Sequence, residues 1–107
     1  MSIVAITARL EIEASRINDY LAAAAGAIEG TRAEPGCRLY AFAVDVHIPN
    51  VVWISEEWES EAALSQHLQS PHITTFLKQV ADIGMPSLDV RKYAVSSVGT
   101  VEPPVIN

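Results

Sequence analysis

Residues 51–77 read VVWISEEWESEAALSQHLQSPHITTFL and change from a strand pattern to a helix pattern within a few positions. The alternation of side chains with a period of two predicts a strand over Val51–Trp58. Ser60 is a favoured N-cap for the helix that follows, and Ser70-Pro71 starts a second helix with proline at its first position. The stretch therefore predicts a strand followed by a helix that is broken in two.

The rest of the chain supplies the remaining elements. Apolar alternation predicts strands over Ile3–Ile12, Cys37–Val46 and Leu88–Val98, and an apolar stripe predicts a helix after Ser15, a candidate N-cap. A short turn between the second and third strands favours an antiparallel hairpin. The order β-α-β-β-α-β predicts an α+β ferredoxin-like sandwich, whose helices cover one face of a four-stranded antiparallel sheet.

The chain is expected to form one domain over residues 1–98, followed by a Pro-containing C-terminal tail over 99–107. Three of the four strands are apolar on both faces, although helices cover only one face. The uncovered face needs a second layer, and the simplest source is another copy of the chain. We therefore expect a homodimer that forms through the open sheet face.

Composition excludes several classes of partner. Seven Lys and Arg residues against 13 Asp and Glu give a net charge of -6, so no basic surface is expected for nucleic acid or anionic lipid. The N-terminal segment carries Arg9 and Glu11 within its apolar run, which fits neither a signal peptide nor a membrane span. The single cysteine, Cys37, excludes an internal disulfide. The expected location is cytoplasmic.

Several motifs together resemble the antibiotic biosynthesis monooxygenase (ABM) domain family, within the dimeric α+β barrel superfamily. They are Glu34-Pro35-Gly36-Cys37, the strand end Glu56-Glu57-Trp58, and the segment from Trp58 through His67 to Ser70-Pro71-His72. The resemblance implies a ferredoxin-like dimer whose sheets pair into a dimeric α/β barrel. It also implies one of several activities, since members include quinol and anthrone oxygenases that use no metal or flavin, heme-degrading enzymes, and an isomerase of a signalling sugar phosphate.

The resemblance does not extend to the heme-degrading branch. The asparagine, catalytic tryptophan and iron-ligating histidine of that branch fall at Ala8, His67 and Leu77 of this chain. Alanine and leucine cannot replace an amide donor and an imidazole ligand. We therefore do not expect heme degradation, and the resemblance to the family's metal- and flavin-free oxygenases implies no cofactor.

His67 and His72 are the candidate catalytic residues. An oxygenase of this family removes a proton from a phenol or an activated methylene, and imidazole titrates closest to neutral pH. The helix break between the two histidines allows both to turn towards the space between helix and sheet. The alternative is that one or both rings only bond the backbone at that break.

Glu56 and Trp58 are candidate substrate-binding residues that share one strand face. A carboxylate on this apolar stripe can orient a histidine or hold a raised pKa. The alternative for Glu56 is an ion pair with Arg38 or Arg91 across the sheet or the dimer seam, and the alternative for Trp58 is a place in the core.

Tyr40 and Tyr93 complete the candidate substrate-binding set, as donors to a substrate oxygen. Their alternative role is to fill an interface, as strand tyrosines often do. We expect no metal site, because the acidic run Glu56–Glu61 alternates through a strand end and a helix start and its ligands do not converge.

The sequence and the resemblance together predict a cofactor-independent monooxygenase that acts on small aromatic, quinol-like or anthrone-like molecules. Two other functions remain open. One is a dimer that binds a small molecule without catalysis, and the other is an isomerase of a small carbonyl compound that uses the same base without O2.

Overall fold

The computed structural model of the protein describes residues 2–106. Its strands and helices follow the predicted order. They are β1 (Ile3–Glu11), α1 (Ile17–Arg32), β2 (Cys37–Val44), β3 (Val51–Trp58), α2 (Glu61–Leu68), α3 (Pro71–Val80) and β4 (Ser87–Val95). The described part of the tail, residues 99–106, contains no helix or strand.

The four strands form one sheet in the order β2-β3-β1-β4, and all neighbours are antiparallel. This confirms the ferredoxin-like α+β fold. The register pairs Ala8 with Ile54 on one side and with Val90 on the other, which sets these three side chains on the same face of the sheet. None of the helices in residues 2–106 has the length and apolar content that crossing a membrane requires.

Two of the three predicted helix caps are confirmed. Ser60 Oγ accepts from the backbone N–H of Ala63 at 3.1 Å, and Ser70 caps α3 with proline at the first helical position. Ser15 was predicted to cap α1 and does not. It lies inside a short 3-10 turn, in which the Arg16 N–H donates to the Glu13 carbonyl, and α1 begins after that turn without a side-chain cap.

The helices cover only one face of the sheet. On β1 the residues Val4, Ala8 and Leu10 point to that face and are buried. The other face is open, and it exposes large side chains, among them Trp53 and Tyr93, each 45% exposed. The sheet therefore has a covered face, which carries the core, and an open face.

Candidate functional site

A cleft of about 660 Å³ lies between α2, α3 and the covered face of the sheet. Its walls are mainly aliphatic and aromatic and include Leu10, Phe42, Ile54 and Phe76. This volume lies within the range of about 300–1,000 Å³ that is usual for small-molecule sites. Seven polar or charged side chains also line the cleft. They are Tyr20, Tyr40, Glu56, Glu61, Ser65, His67 and Lys92.

His67 is held on α2 with its side chain only 4% exposed. Its ring lies against the indole of Trp58, with centroids 4.4 Å apart, and meets the ring of Tyr40 edge-on at 5.3 Å. Aromatic contacts on two sides fix the plane of the imidazole. The prediction that His67 faces the space between helix and sheet agrees with this structure.

Glu34, a residue of the loop between α1 and β2, joins the two histidines. Its Oε2 lies 2.8 Å from Nδ1 of His67 and 2.8 Å from Nε2 of His72. His72 lies in the first turn of α3, is 27% exposed at its side chain and does not line the cleft. The alternative that these rings bond only the backbone is therefore wrong, because both have a side-chain partner.

Among residues 2–106, the ligand atoms of Glu34, His67 and His72 also converge enough to suggest a metal, since all lie within 4.8 Å of one another. Imidazole and carboxylate suit several divalent transition metals, which bind them at about 2.0–2.2 Å. Both ring nitrogens also lie at hydrogen-bond distance from one carboxylate oxygen. The three side chains therefore form a hydrogen-bonded cluster whose residue types could also serve as metal ligands.

Glu56 is half-buried on β3 and lines the cleft. Burial raises the pKa of its carboxyl above the ordinary value, and this outweighs the opposing hydrogen bond from Trp58 Nε1 at 2.9 Å and the proximity of His67. A carboxyl in an apolar cleft with a raised pKa is a candidate proton donor.

Within the described residues of one chain, Glu56 does not form the alternative ion pair with Arg38 or Arg91 across the sheet, while an ion pair across a dimer seam stays a prediction. Arg38 lies 3.5 Å from Glu57, which is on the open face of the sheet, and Arg91 lies 3.1 Å from Asp89 on that same face. Both arginines therefore lie across the sheet from the carboxyl with which they were expected to pair.

Trp58 does not line the cleft. Its side chain is fully buried, and it contacts His67 and Glu56 from behind. The interpretation of Trp58 as a core residue agrees with this position, and it supports the site without a direct path to a ligand.

The two predicted tyrosines lie on opposite faces of the sheet. Tyr40 lines the cleft, and burial raises the pKa of its hydroxyl, so the group is protonated at neutral pH and can donate. Tyr93 lies on the open face beside Thr7 and Trp53, so the structure does not bring it together with His67 in this chain.

Sequence reasoning missed three features of the site. Tyr20 on α1 lines the cleft, and burial raises its pKa to about 12. Lys92 and Glu61 form an ion pair at 2.9 Å at the margin of the cleft, between β4 and α2. Glu34 belongs to the motif Glu34-Pro35-Gly36-Cys37, but its contacts are with His67 and His72, which lie 33 and 38 positions further along the chain. A local sequence pattern carries no signal for contacts at this separation.

Comparison with known proteins identifies the family of this chain. Residues 3–79 match the family described as antibiotic biosynthesis monooxygenase, and this range is well over half of the chain. The chain belongs to the antibiotic biosynthesis monooxygenase family. The match includes the residues that line the cleft from β1 through most of α3, so the ABM domain contains His67 and its neighbours.

Individual relatives agree with this fold. Rv0793 from Mycobacterium tuberculosis is 27% identical, with a TM-score of 0.83, and the similarity covers 92% of this chain and 100% of that one. A protein of Deinococcus radiodurans that bears the name of the same family is 22% identical, with a TM-score of 0.83 over 94% of this chain and 99% of its own. The uncharacterised protein sll1783 from Synechocystis sp. is 24% identical over 98 residues, which are 92% of this chain and 67% of that protein.

Proposed function

We propose that this ABM protein is a monooxygenase that oxidises flat aromatic molecules of the quinol or anthrone type with O2. The observation that carries the proposal is an apolar cleft of about 660 Å³ into which an oriented imidazole and a carboxyl project. An apolar site of this size accepts a polycyclic body, and its few polar groups lie where a reacting oxygen or methylene needs them.

The first step is removal of a proton. His67 takes the proton from a phenolic oxygen or an activated methylene, and negative charge then spreads onto the substrate oxygen. Burial raises the pKa of Tyr40, so its hydroxyl can donate a hydrogen bond to that oxygen. Burial also raises the pKa of Glu56, which can add a second hydrogen bond in the molecules in which its carboxyl is protonated. Such donors, arranged before the reaction, stabilise the developing anion.

The second step is reaction with O2. The substrate anion gives electrons to O2 and forms a carbon–oxygen bond, and the product takes up a proton to become a hydroperoxide. Loss of a second proton from the same carbon and cleavage of the O–O bond release water and leave a carbonyl group. A methylene and O2 therefore yield a ketone and water. Because the substrate supplies all the electrons that O2 receives, the reaction needs no electrons from a metal or a flavin. The apolar walls keep bulk water from the anion.

Oxygen uptake by chelator-treated protein on a panel of anthrones, naphthols and hydroquinones tests the proposal. We expect uptake above the no-protein blank, with product oxygen derived from 18O2. His67→Ala should lower it by about 10²–10⁴-fold, which is the usual contribution of a general base. His47→Ala is the matched control, because His47 is exposed in a turn away from the cleft. Uptake that His67→Ala leaves unchanged would contradict the proposed base.

One observation also favours an isomerase of a small carbonyl compound. The cleft holds a base and a carboxyl whose pKa is raised by burial, and such a pair can move a proton between two carbons. Turnover that continues at full rate under argon would favour this second function. Saturable binding of a panel compound without turnover would instead favour a binding protein.

We also propose that the protein forms a homodimer through the open sheet face. This face exposes Trp53 and Tyr93 together with Leu39, which is 39% exposed. Aromatic residues are typical of the buried centre of interfaces. Analytical ultracentrifugation at micromolar concentration should give twice the chain mass, and Trp53→Arg should lower that mass. A single-chain mass for the unaltered protein would contradict the proposal.

A further inference from the structure

We propose that Glu34 and His72 are positioning residues that fix His67 in the tautomer needed for proton removal. This inference rests on the proposed function, because it concerns the base of that reaction. Neither Glu34 nor His72 lines the cleft, so neither has a direct path to the substrate. Their role follows from the way in which three side chains share one oxygen atom.

Counting donors and acceptors determines the tautomer. An ionised carboxylate only accepts hydrogen bonds, whereas a neutral imidazole has one N–H donor and one acceptor nitrogen. Glu34 Oε2 lies 2.8 Å from Nδ1 of His67, so that nitrogen must carry the proton. The proton of neutral His67 is then on Nδ1, and Nε2 keeps its lone pair. Nε2 is therefore the atom that can accept a proton from a substrate.

His72 completes this arrangement by holding the carboxylate. Its Nε2 donates to the same oxygen at 2.8 Å, from a different helix. A glutamate side chain has three rotatable bonds, so a single hydrogen bond does not fix the position of its carboxylate oxygen. Donors from α2 and α3 fix the oxygen between them, and aromatic contacts hold the His67 ring in its plane. Second partners of this kind commonly set the tautomer of a functional histidine.

A glycine on α1 makes room for His72. A Cβ atom at Gly30 would lie 2.8 Å from His72 Cγ and 3.1 Å from its Cβ, too close for the ring to stay in place. Gly26, one helical turn earlier on α1, has nothing within 4 Å of the same hypothetical atom. Gly30→Ala thus displaces His72 without altering any of the three hydrogen-bonding residues, and Gly26→Ala is its matched control.

Nuclear magnetic resonance of 15N-labelled histidines tests the inference without any substrate. At a pH where His67 is neutral, we expect its Nδ1 to carry the proton in the unaltered protein. Glu34→Ala and Gly30→Ala should both lower the population of that tautomer, while Gly26→Ala should leave it unchanged. Spectra of His47→Ala and His72→Ala assign the signals of the three histidines. A proton on Nε2 of His67 in the unaltered protein, or a tautomer population that neither variant changes, would overturn the proposal.

Turnover provides a second readout. Misplacement of a catalytic group commonly costs about 10²-fold in rate, so we expect kcat to fall by about this factor in Gly30→Ala. KM should change little, because the variant alters no group that lines the cleft. Gly26→Ala should keep the full kcat. A Gly30→Ala enzyme with unchanged kcat would also overturn the proposal.

The two readouts separate this inference from the proposed function. If the tautomer depends on Glu34 but no panel compound consumes O2, the positioning role stands and the oxygenase proposal fails. If O2 is consumed in a His67-dependent way but the tautomer does not depend on Glu34, the oxygenase proposal stands and the positioning role fails.

Discussion

Glu56 and Glu57 are adjacent on β3 and lie on opposite faces of the same sheet. Glu56 faces the cleft, where burial raises its pKa, and its described partner is the indole N–H of Trp58. Glu57 lies on the open face, 3.5 Å from Arg38. Two identical side chains therefore differ in electrostatics only because a strand turns successive residues to opposite sides. The covered face raises the pKa of its carboxyl, and the open face pairs its carboxylate with a cation.

The two tryptophans repeat this division. Trp58 is fully buried behind His67, whereas Trp53 is 45% exposed and donates to Asp45. Each face thus has its own aromatic residue, and only the covered face combines it with a base. Matched variants that alter one face at a time should therefore have different effects.

The largest expected difference lies between Trp58→Ala and Trp53→Ala. Loss of the buried indole should lower the free energy of unfolding by about 3–5 kcal/mol, because it leaves a cavity. Loss of the exposed indole should cost less than about 1 kcal/mol when the protein is dilute, as most surface changes do. Urea unfolding measures both. If the open face pairs two chains, the cost of Trp53→Ala should grow with protein concentration. Equal costs in dilute protein would contradict the division into a core face and an open face.

Gly30→Ala and Gly26→Ala should move stability in opposite directions. The Cβ atom at position 30 meets the ring of His72, and overpacking of this kind typically costs about 1–3 kcal/mol. The same change at exposed position 26 should stabilise the helix by roughly 0.5–1 kcal/mol, since alanine is the better helix former. Thermal unfolding by circular dichroism measures both. A stabilised Gly30→Ala protein would show that the ring moves away freely.

The smallest expected effect separates Glu56→Gln from Glu57→Gln by its dependence on pH. The folded-state pKa of Glu56 is raised above 4.5, so the folded chain holds more protons than the unfolded chain as the pH rises through that value. Stability contributed by Glu56 is therefore present at acidic pH and lost towards neutral pH. Glu56→Gln should be more stable than the unaltered protein near pH 7 but not near pH 4.

Glu57→Gln serves as the control for that measurement. It removes a partly exposed ion pair worth at most about 1 kcal/mol, and it should show no gain in stability at neutral pH. Urea unfolding across the pH range gives both curves. If Glu57→Gln raises the free energy of unfolding at neutral pH as much as Glu56→Gln does, the effect comes from net charge and not from burial.

Local patterns were sufficient to predict the fold. The period of two along Val51–Trp58 and the caps at Ser60 and Ser70 are properties of a few adjacent residues, and the structure has them where expected. Ser15 failed as a cap because the entry to α1 depends on a 3-10 turn that propensity does not encode. The ends of β2 and β4, two and three residues earlier than predicted, likewise depend on how far the neighbouring strands extend.

The position of a site residue could be predicted from the sequence only where it depends on a single strand or helix. The shared face of Glu56 and Trp58 follows from the strand period. The face of Tyr93 depends on the register between β1 and β4, which alternation within β4 cannot give. The contact of Glu34 with His67 depends on where a loop meets two helices in space. Long-range geometry of this kind leaves no signal in spacing, although the residue types themselves were present in the quoted motifs.

Anaerobic hydrogen exchange shows whether His67 removes a proton from a substrate in the covered cleft. An anthrone in D2O under argon exchanges its methylene hydrogens whenever a base removes one, and no O2 is required. We expect exchange at least about 10²-fold above the buffer rate with the unaltered protein and with His47→Ala, and near the buffer rate with His67→Ala. Exchange that is equally fast with His67→Ala, or that never exceeds the buffer rate, would show that His67 is not the base.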